Sequence, residues 1–500
     1  MAFLLSASAF AAPTPKNGGI LKVGAHTNPK ILGYPAEVTN NGPLPYLDPI
    51  LQALTRFSEK GDTVPWLAES FSTDAVAKTV TFILRNGIKF QDGTTFDADA
   101  VKWNIEQYVA AKRNETAAII EIKVIDPKTV RITLKDWNSG FLPLFGYYIR
   151  FISPTAFKAN GKEWCYSHPV GTGPFMLDKW EMNVSVAYKR NPNYWEKGLP
   201  LLDGIQMFIM EDPMTISSAL RAGEIDIWRE VNNIDIADEL IKSGEFNIVL
   251  HKNGIGAVGT GLIPDCTTPG SPWKDVKVRK AMCYAIDEKM LAKTFGKGYY
   301  VTTNQWGSPE AITFNKDVVG YPYNPEKAKQ LLKEAGLPNG FKTKLFSPIG
   351  SKDMFTAIQS YLAAVGINAE LIIVDEPKNQ SLYFSTWEGG LMGHYHSVQP
   401  DLGSYMFRHL DPNGAFYAKG ILHPDDVVAL LKQNQQAPND KIKIDTSMKL
   451  QKLVYDEYCL VGKPLFIPMF IYIKNTKVHD DGSGLTHGSY WTPGNAWIDR

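Results

Sequence analysis

Three groups of residues have the types and spacing for chemistry. The run GIGAVGTG at residues 254–261 sets Gly254, Gly256 and Gly259 in the G-x-G-x-x-G spacing that lets backbone N–H groups approach a dinucleotide pyrophosphate. That chemistry needs a strand before the glycines and a helix N-terminus after them. FNIVLH at 246–251 reads as the strand, but LIPDCTTPGSPWKD follows, with three prolines and no helical period. Without the helix there is no phosphate cradle, and no dinucleotide is expected. The second group is His394 and His396. On a strand, positions i and i+2 share a face, and two imidazoles there suit nickel, zinc or copper. With no third donor identifiable, a polar hydrogen-bonding role and plain packing are the competing readings, and no metal or other cofactor is predicted. The third is Asp401, directly after Pro400: its carboxylate is placed either to meet an ammonium group or to cap the helix pattern LGSYMF. Trp306, Trp387 and Tyr395 add flat aromatic faces with polar edges, suited to sugars, peptide side chains or aromatic solutes, and equally to a core.

Catalytic constellations are missing. The chain has no G-x-S-x-G and no H-E-x-x-H, and the acid pairs Asp425-Asp426 and Asp480-Asp481 fall in stretches that read as polar surface loops. A secreted hydrolase is the rival class, and these observations weigh against it; the expectation is a protein that is not an enzyme.

The elements that position these residues alternate between strand and helix. GGILKVGAH (18–26) alternates as a strand, and PYLDPILQALTRFS then reads as a helix with Ile50, Leu51, Leu54 and Phe57 on one face. Further on come a strand, a turn at Gln91-Asp92-Gly93, a helix carrying Val101, Ile105 and Tyr108, and the strand KTVRITLKD. MTISSALRAGEIDIW is a helix ending at Gly223 before a strand from Ile225. After residue 270 a second unit starts, with Val278, Met282, Ala285, Ile286 and Met290 near one helical stripe. NPEKAKQLLKEAGL is a Pro-initiated helix closed by Gly336, and KTKLFSP, KDMFTAIQSYLAAVG and INAELIIVD give a strand, helix and strand with the signature of a parallel pair. PLFIPMFIYIKNTKV is one long extended run. The predicted class is α/β with mixed sheets.

Five hundred residues exceed one core, so two or three units are expected. Lys+Arg and Asp+Glu are both 52, and this balance gives no net field toward nucleic acid or an anionic membrane. The start, MAFLLSASAFAAPTPKNGG, carries an apolar run too short to span a bilayer and an Ala9-Phe10-Ala11 match to a secretory cleavage site, although a basic n-region is missing. Export is expected, to the periplasm or the medium, with no lipid-anchor cysteine near that site. The four cysteines, Cys165, Cys266, Cys283 and Cys459, form no C-x-x-C, and both disulfide bridges and buried thiols stay open.

AESFSTDAVAKTVTFILRNGIKFQDGTTFDADAVKWNIE, GTGPFMLDKWEMNVSVAYKRNPNYWEKGLPLLDGI, ALRAGEIDI, VRKAMCYAIDEKMLAKTF and YNPEKAKQLLKEAG occur in order along the chain. Together they resemble the solute-binding proteins of the peptide/nickel class of ABC importers, the bacterial family 5 type, from about residue 18 to 480. The resemblance implies a two-lobed periplasmic binding protein with two hinge crossovers. Residues 1–17 would be leader, 18–258 lobe I with an inserted subdomain at about 60–170, 259–477 lobe II, and 478–500 a return to lobe I. The crossings would fall on GIGAVGTGLIP and IYIKNTKV, which makes the glycines, Gly256 and Gly259 among them, a hinge at the ligand cleft. It further implies a monomeric receptor that hands a small solute to a membrane permease. In peptide-binding relatives an aspartate a few residues before a proline grips the ligand's α-ammonium; four residues before Pro400 stands His396, not an acid. Peptide remains the leading single class, with a sugar or other organic solute, or a nickel or metal chelate, as alternatives. The expected ligand-facing residues are His26, Asn28, Gly256, Gly259, Trp306, Trp387, His394, Tyr395, His396 and Asp401.

Overall fold

The computed structural model describes residues 14–38, 43–58, 62–229, 231, 233–250, 257–307, 309, 313–399, 401–414, 416–479 and 493–499. Two mixed sheets organise the chain. The first has seven strands, in the spatial order Phe246–Leu250, Phe470–Asn475, Ile227–Arg229, Ile20–Ala25, Gly204–Ile209, Ser185–Arg190 and Phe175–Glu181. The second has six, in the order Tyr300–Thr302, Lys463–Pro468, Val258–Pro264, Leu391–Ser397, Phe341–Pro348 and Ile367–Val374. Alternation along Val258–Pro264 sends Leu262 into one core and Ile263 into another on the opposite face, so this sheet is covered on both sides. A four-stranded antiparallel sheet spanning 68–134 falls within the stretch expected to be inserted, but it has no separate core: Val80 and Ile132 pack in the same buried cluster as Val23 and Met207 of the seven-stranded sheet.

The chain passes between the two large sheets twice, between Leu250 and Val258 and again at Met469. The long run predicted near the C-terminus is therefore two strands, and the chain is back in the first sheet by Phe470, earlier than the 478 expected. Pro468 ends the first of them, where a missing N–H would interrupt a ladder.

Three local expectations change. Residues 48–54 are not helical: the helix stops at Leu47, Pro49 supplies no N–H, and the carbonyls of Pro49 and Ile50 instead accept from Phe175 at 3.0 Å and Gly173 at 2.8 Å. Ile50, Leu51 and Leu54 are nonetheless fully buried, so the apolar signal was one of burial and not of helical period. The stripe through Met290 breaks at Ile286, where Val276–Ala285 ends in an extended residue, and Asp287 caps a new helix, Glu288–Gly296, by accepting from the Met290 N–H at 2.9 Å. Met290 is left exposed. Asp425 and Asp426 lie in the first turn of Asp425–Gln435, where carboxylates favour the helix dipole, and not in a loop. No described helix is long and apolar enough to cross a membrane.

Candidate functional site

The strand Leu391–Ser397 lies antiparallel to Val258–Pro264, with His396 opposite Gly259 and His394 opposite Gly261. The pleat puts both imidazoles on one face, their centroids 6.1 Å apart, and Trp306 spans them at 5.2 Å from His394 and 5.8 Å from His396. Tyr383 stacks on His394 at 5.1 Å with an interplanar angle of 10°, and its hydroxyl is hydrogen-bonded to His409 Nδ1. The helix Leu402–Leu410 brings Tyr405 and His409 edge-on to Trp306, their centroids 5.8 and 5.5 Å from it.

This aromatic group is buried and leaves polar atoms unpaired among the described residues: His394 Nε2, both ring nitrogens of His396, and the Nε1 of Trp306. Burial lowers the pKa of His394 to about 3 and lowers those of His396 and His409 in the same direction. All three rings are neutral at pH 7. They offer hydrogen bonds but no charge. Among the described residues no group of three or more His, Cys, Asp or Glu is placed to hold a metal ion.

His394 and His409 open onto a cavity of about 280 Å³ where the two halves of the molecule meet. Tyr148 lines it from the half built on the seven-stranded sheet; Asn379, Tyr405 and Arg408 line it from the other half. Arg408 Nη1 donates to the Tyr148 hydroxyl at 3.2 Å across the seam. A second cavity, of about 410 Å³, is also lined from both halves, near direct links between them: Trp137 Nε1 donates to the Ala437 carbonyl at 2.8 Å, and the Ser139 N–H to that of Gln435 at 2.8 Å.

Of the residues singled out from the sequence, His394 and Tyr395 line the first cavity, and the Tyr395 hydroxyl is held by Ser351 at 2.6 Å. His396 and Trp306 stand behind His394 as its packing. Gly259 serves that packing: a Cβ there would lie 2.3 Å from His396 Nε2, so the missing side chain makes room for the ring. Gly254 and Gly256 lie outside the described residues. Trp387 is fully buried in a core, its ring against Gly420 and its backbone N–H donating to Asp265 Oδ2 at 3.0 Å, and does not line this cavity. His26 and Asn28 follow the first strand, Asn28 bonded to Asn183, and neither lines a described cavity.

Of the two placements open for Asp401, the structure shows the helix cap: it accepts from the Ser404 N–H at 3.0 Å and pairs with Lys443 at 2.5 Å. Its carboxylate is occupied, and it borders the second cavity instead of the first. Sequence reasoning passed over Tyr148, Tyr383, Arg408 and His409. Tyr405, Arg408 and His409 follow the i, i+3, i+4 spacing of one helix face, and that periodicity was available to find them.

Two lobes, crossed twice by the chain and enclosing a partly polar, largely aromatic cavity at their seam, define a two-lobed solute-binding receptor. The chain belongs to the bacterial extracellular solute-binding proteins, family 5, whose middle-region model matches residues 62–414. It is 33% identical over 399 residues to the glutathione-binding protein GsiB of Shigella flexneri, covering 75% of this chain and 76% of that one. In fold it is similar to the ABC transporter substrate-binding protein CtaP of Listeria monocytogenes, with a TM-score of 0.85 at 18% identity over 97% and 100% of the two chains. It is likewise similar to the periplasmic binding protein DppA of Helicobacter pylori, solved with the peptide STSA, with a TM-score of 0.77 at 22% identity over 97% and 99%.

Proposed function

We propose that this protein is the exported receptor of an ABC importer, that it captures one small polar solute of peptide class between its lobes, and that it presents the closed form to a membrane permease. It acts as a monomer, without catalysis and without nucleic acid. Lobe I is built on the seven-stranded sheet and lobe II on the six-stranded sheet, with the crossings between the strands that end at Leu250 and begin at Val258, and at Met469. The observation that carries this reading is the seam cavity, where unpaired His394 Nε2 and Asn379 Oδ1 meet Tyr148 of the opposite lobe. Buried polar atoms without partners are costly, and a solute that satisfies them while touching both lobes favours the closed arrangement. A short peptide matches the cavity's size, and the likeness to a glutathione-binding protein supports a small peptide over an extended one. Native mass spectrometry of the protein purified from an exporting host, with a metal assay on the same sample, tests this. One bound organic solute per chain is expected; turnover of added peptides or esters, or a stoichiometric metal without an organic partner, overturns the reading.

A further inference from the structure

The seam cavity has an unbalanced charge. Among the described residues lining it, Arg408 is the one charged side chain, and none is Asp or Glu. Its guanidinium lies over Phe416, 4.8 Å from the ring centroid, and makes one hydrogen bond, to the Tyr148 hydroxyl. No described carboxylate pairs with it. This half-buried guanidinium makes one protein hydrogen bond and so keeps donors for a solute, and its planar fork matches a carboxylate in bidentate fashion. The imidazoles around it carry no charge at neutral pH, so nothing there offsets an ammonium, whereas His394, as its Nε2–H tautomer, and the Tyr148 hydroxyl can donate to an anion's oxygens, and the unpaired Asn379 Oδ1 can accept from an N–H of the solute beyond them.

We propose that Arg408 is the specificity-determining residue of this cavity, pairing with a carboxylate of the solute, so that the receptor selects anionic solutes and rejects those whose charge at that end is an ammonium. This rests on the receptor reading above and deepens it. Because Arg408 comes from one lobe and its hydroxyl partner Tyr148 from the other, a carboxylate seated there touches both and links charge recognition to closure.

The test is a melting-temperature screen of the full chain against short peptides and organic acids, glutathione included. Each is offered as the free acid, as its carboxamide and, for the peptides, with the amino group acetylated. Isothermal titration of the hits into wild type, Arg408→Gln and Arg408→Lys follows. Binding by free acids, retained on acetylation and lost in the carboxamide, is expected, with Arg408→Gln weakening the acid about 30-fold or more while leaving the already weak carboxamide unchanged. Arg408→Lys should recover part of the loss, since it keeps the charge without the fork. A merely structural role for Arg408 predicts equal weakening of acid and carboxamide and a lower ligand-free melting point. Hits that bind equally well as carboxamides, or that require a free amine, overturn the proposal and leave the receptor intact. No hit, together with no co-purified solute, counts against the receptor reading itself.

Discussion

Gly259→Ala isolates a single steric claim. The added methyl would lie 2.3 Å from His396 Nε2 and 2.6 Å from its Cε1, well inside van der Waals contact, and the ring has little room to yield because Trp306 stacks 5.8 Å away. Overpacking a filled core costs about 1–3 kcal/mol. Taking about 2 kcal/mol, and about 2–4 °C per kcal/mol for a lobe of this size, the melting temperature should fall by about 4–8 °C. The companion variant His396→Ala is destabilising by itself, because it empties ring volume. In the double variant, however, the methyl occupies space the ring has vacated. Urea unfolding of all four proteins should therefore give a double variant more stable than the sum of the single losses by about 1–3 kcal/mol. Additive losses, or a Gly259→Ala protein as stable as wild type, would refute the idea that this glycine exists to admit the histidine.

Other perturbations have equally definite outcomes. Arg150 and Asp48 form a fully buried ion pair at 2.9 Å, so Asp48→Asn should lower the urea-derived stability by about 3–5 kcal/mol; a loss under 1 kcal/mol would contradict the pairing. His394, His396 and His409 are neutral when folded because burial lowers their pKa values, His394 to about 3, while an unfolded histidine gains its proton near 6.5. The unfolded chain thus binds more protons below pH 6.5, and stability, constant with respect to these groups above about pH 7, should fall from pH 6.5 toward 3 by up to about 1.4 kcal/mol per pH unit for each ring. Urea midpoints from pH 8 to 5 check this, and a flat profile contradicts it. Burial pushes the Cys266 thiol up to about 12, so iodoacetamide at pH 8 should leave it unlabelled until the chain is unfolded; labelling in the folded protein contradicts its burial.

Much of the fold was legible because local signals agreed with tertiary packing. Asn324, Pro325 and Gly336 bound a helix as their types require, and the parallel pair Phe341–Pro348 and Ile367–Val374 follows from its strand, helix and strand spacing. Where reading failed, long-range pairing overrode local period: Pro49 and Ile50 give their carbonyls to Phe175 and Gly173, more than a hundred positions away. The site was half legible. The i, i+2 rule put His394 and His396 on one face, with His394 alone lining the cavity, but Tyr148 reaches it from a distant part of the chain, and no local pattern marks it. Trp387 shows the converse, an aromatic beside the site in sequence and in the core in space.

Enclosure of one solute where the lobes meet is tested most directly by hydrogen–deuterium exchange on the solute-free and solute-loaded protein, using the molecule that native mass spectrometry finds bound. Slowed exchange is predicted in both the segment around Tyr148 and the segment 391–409. Protection confined to one lobe, or lying on a surface away from the seam, would contradict it.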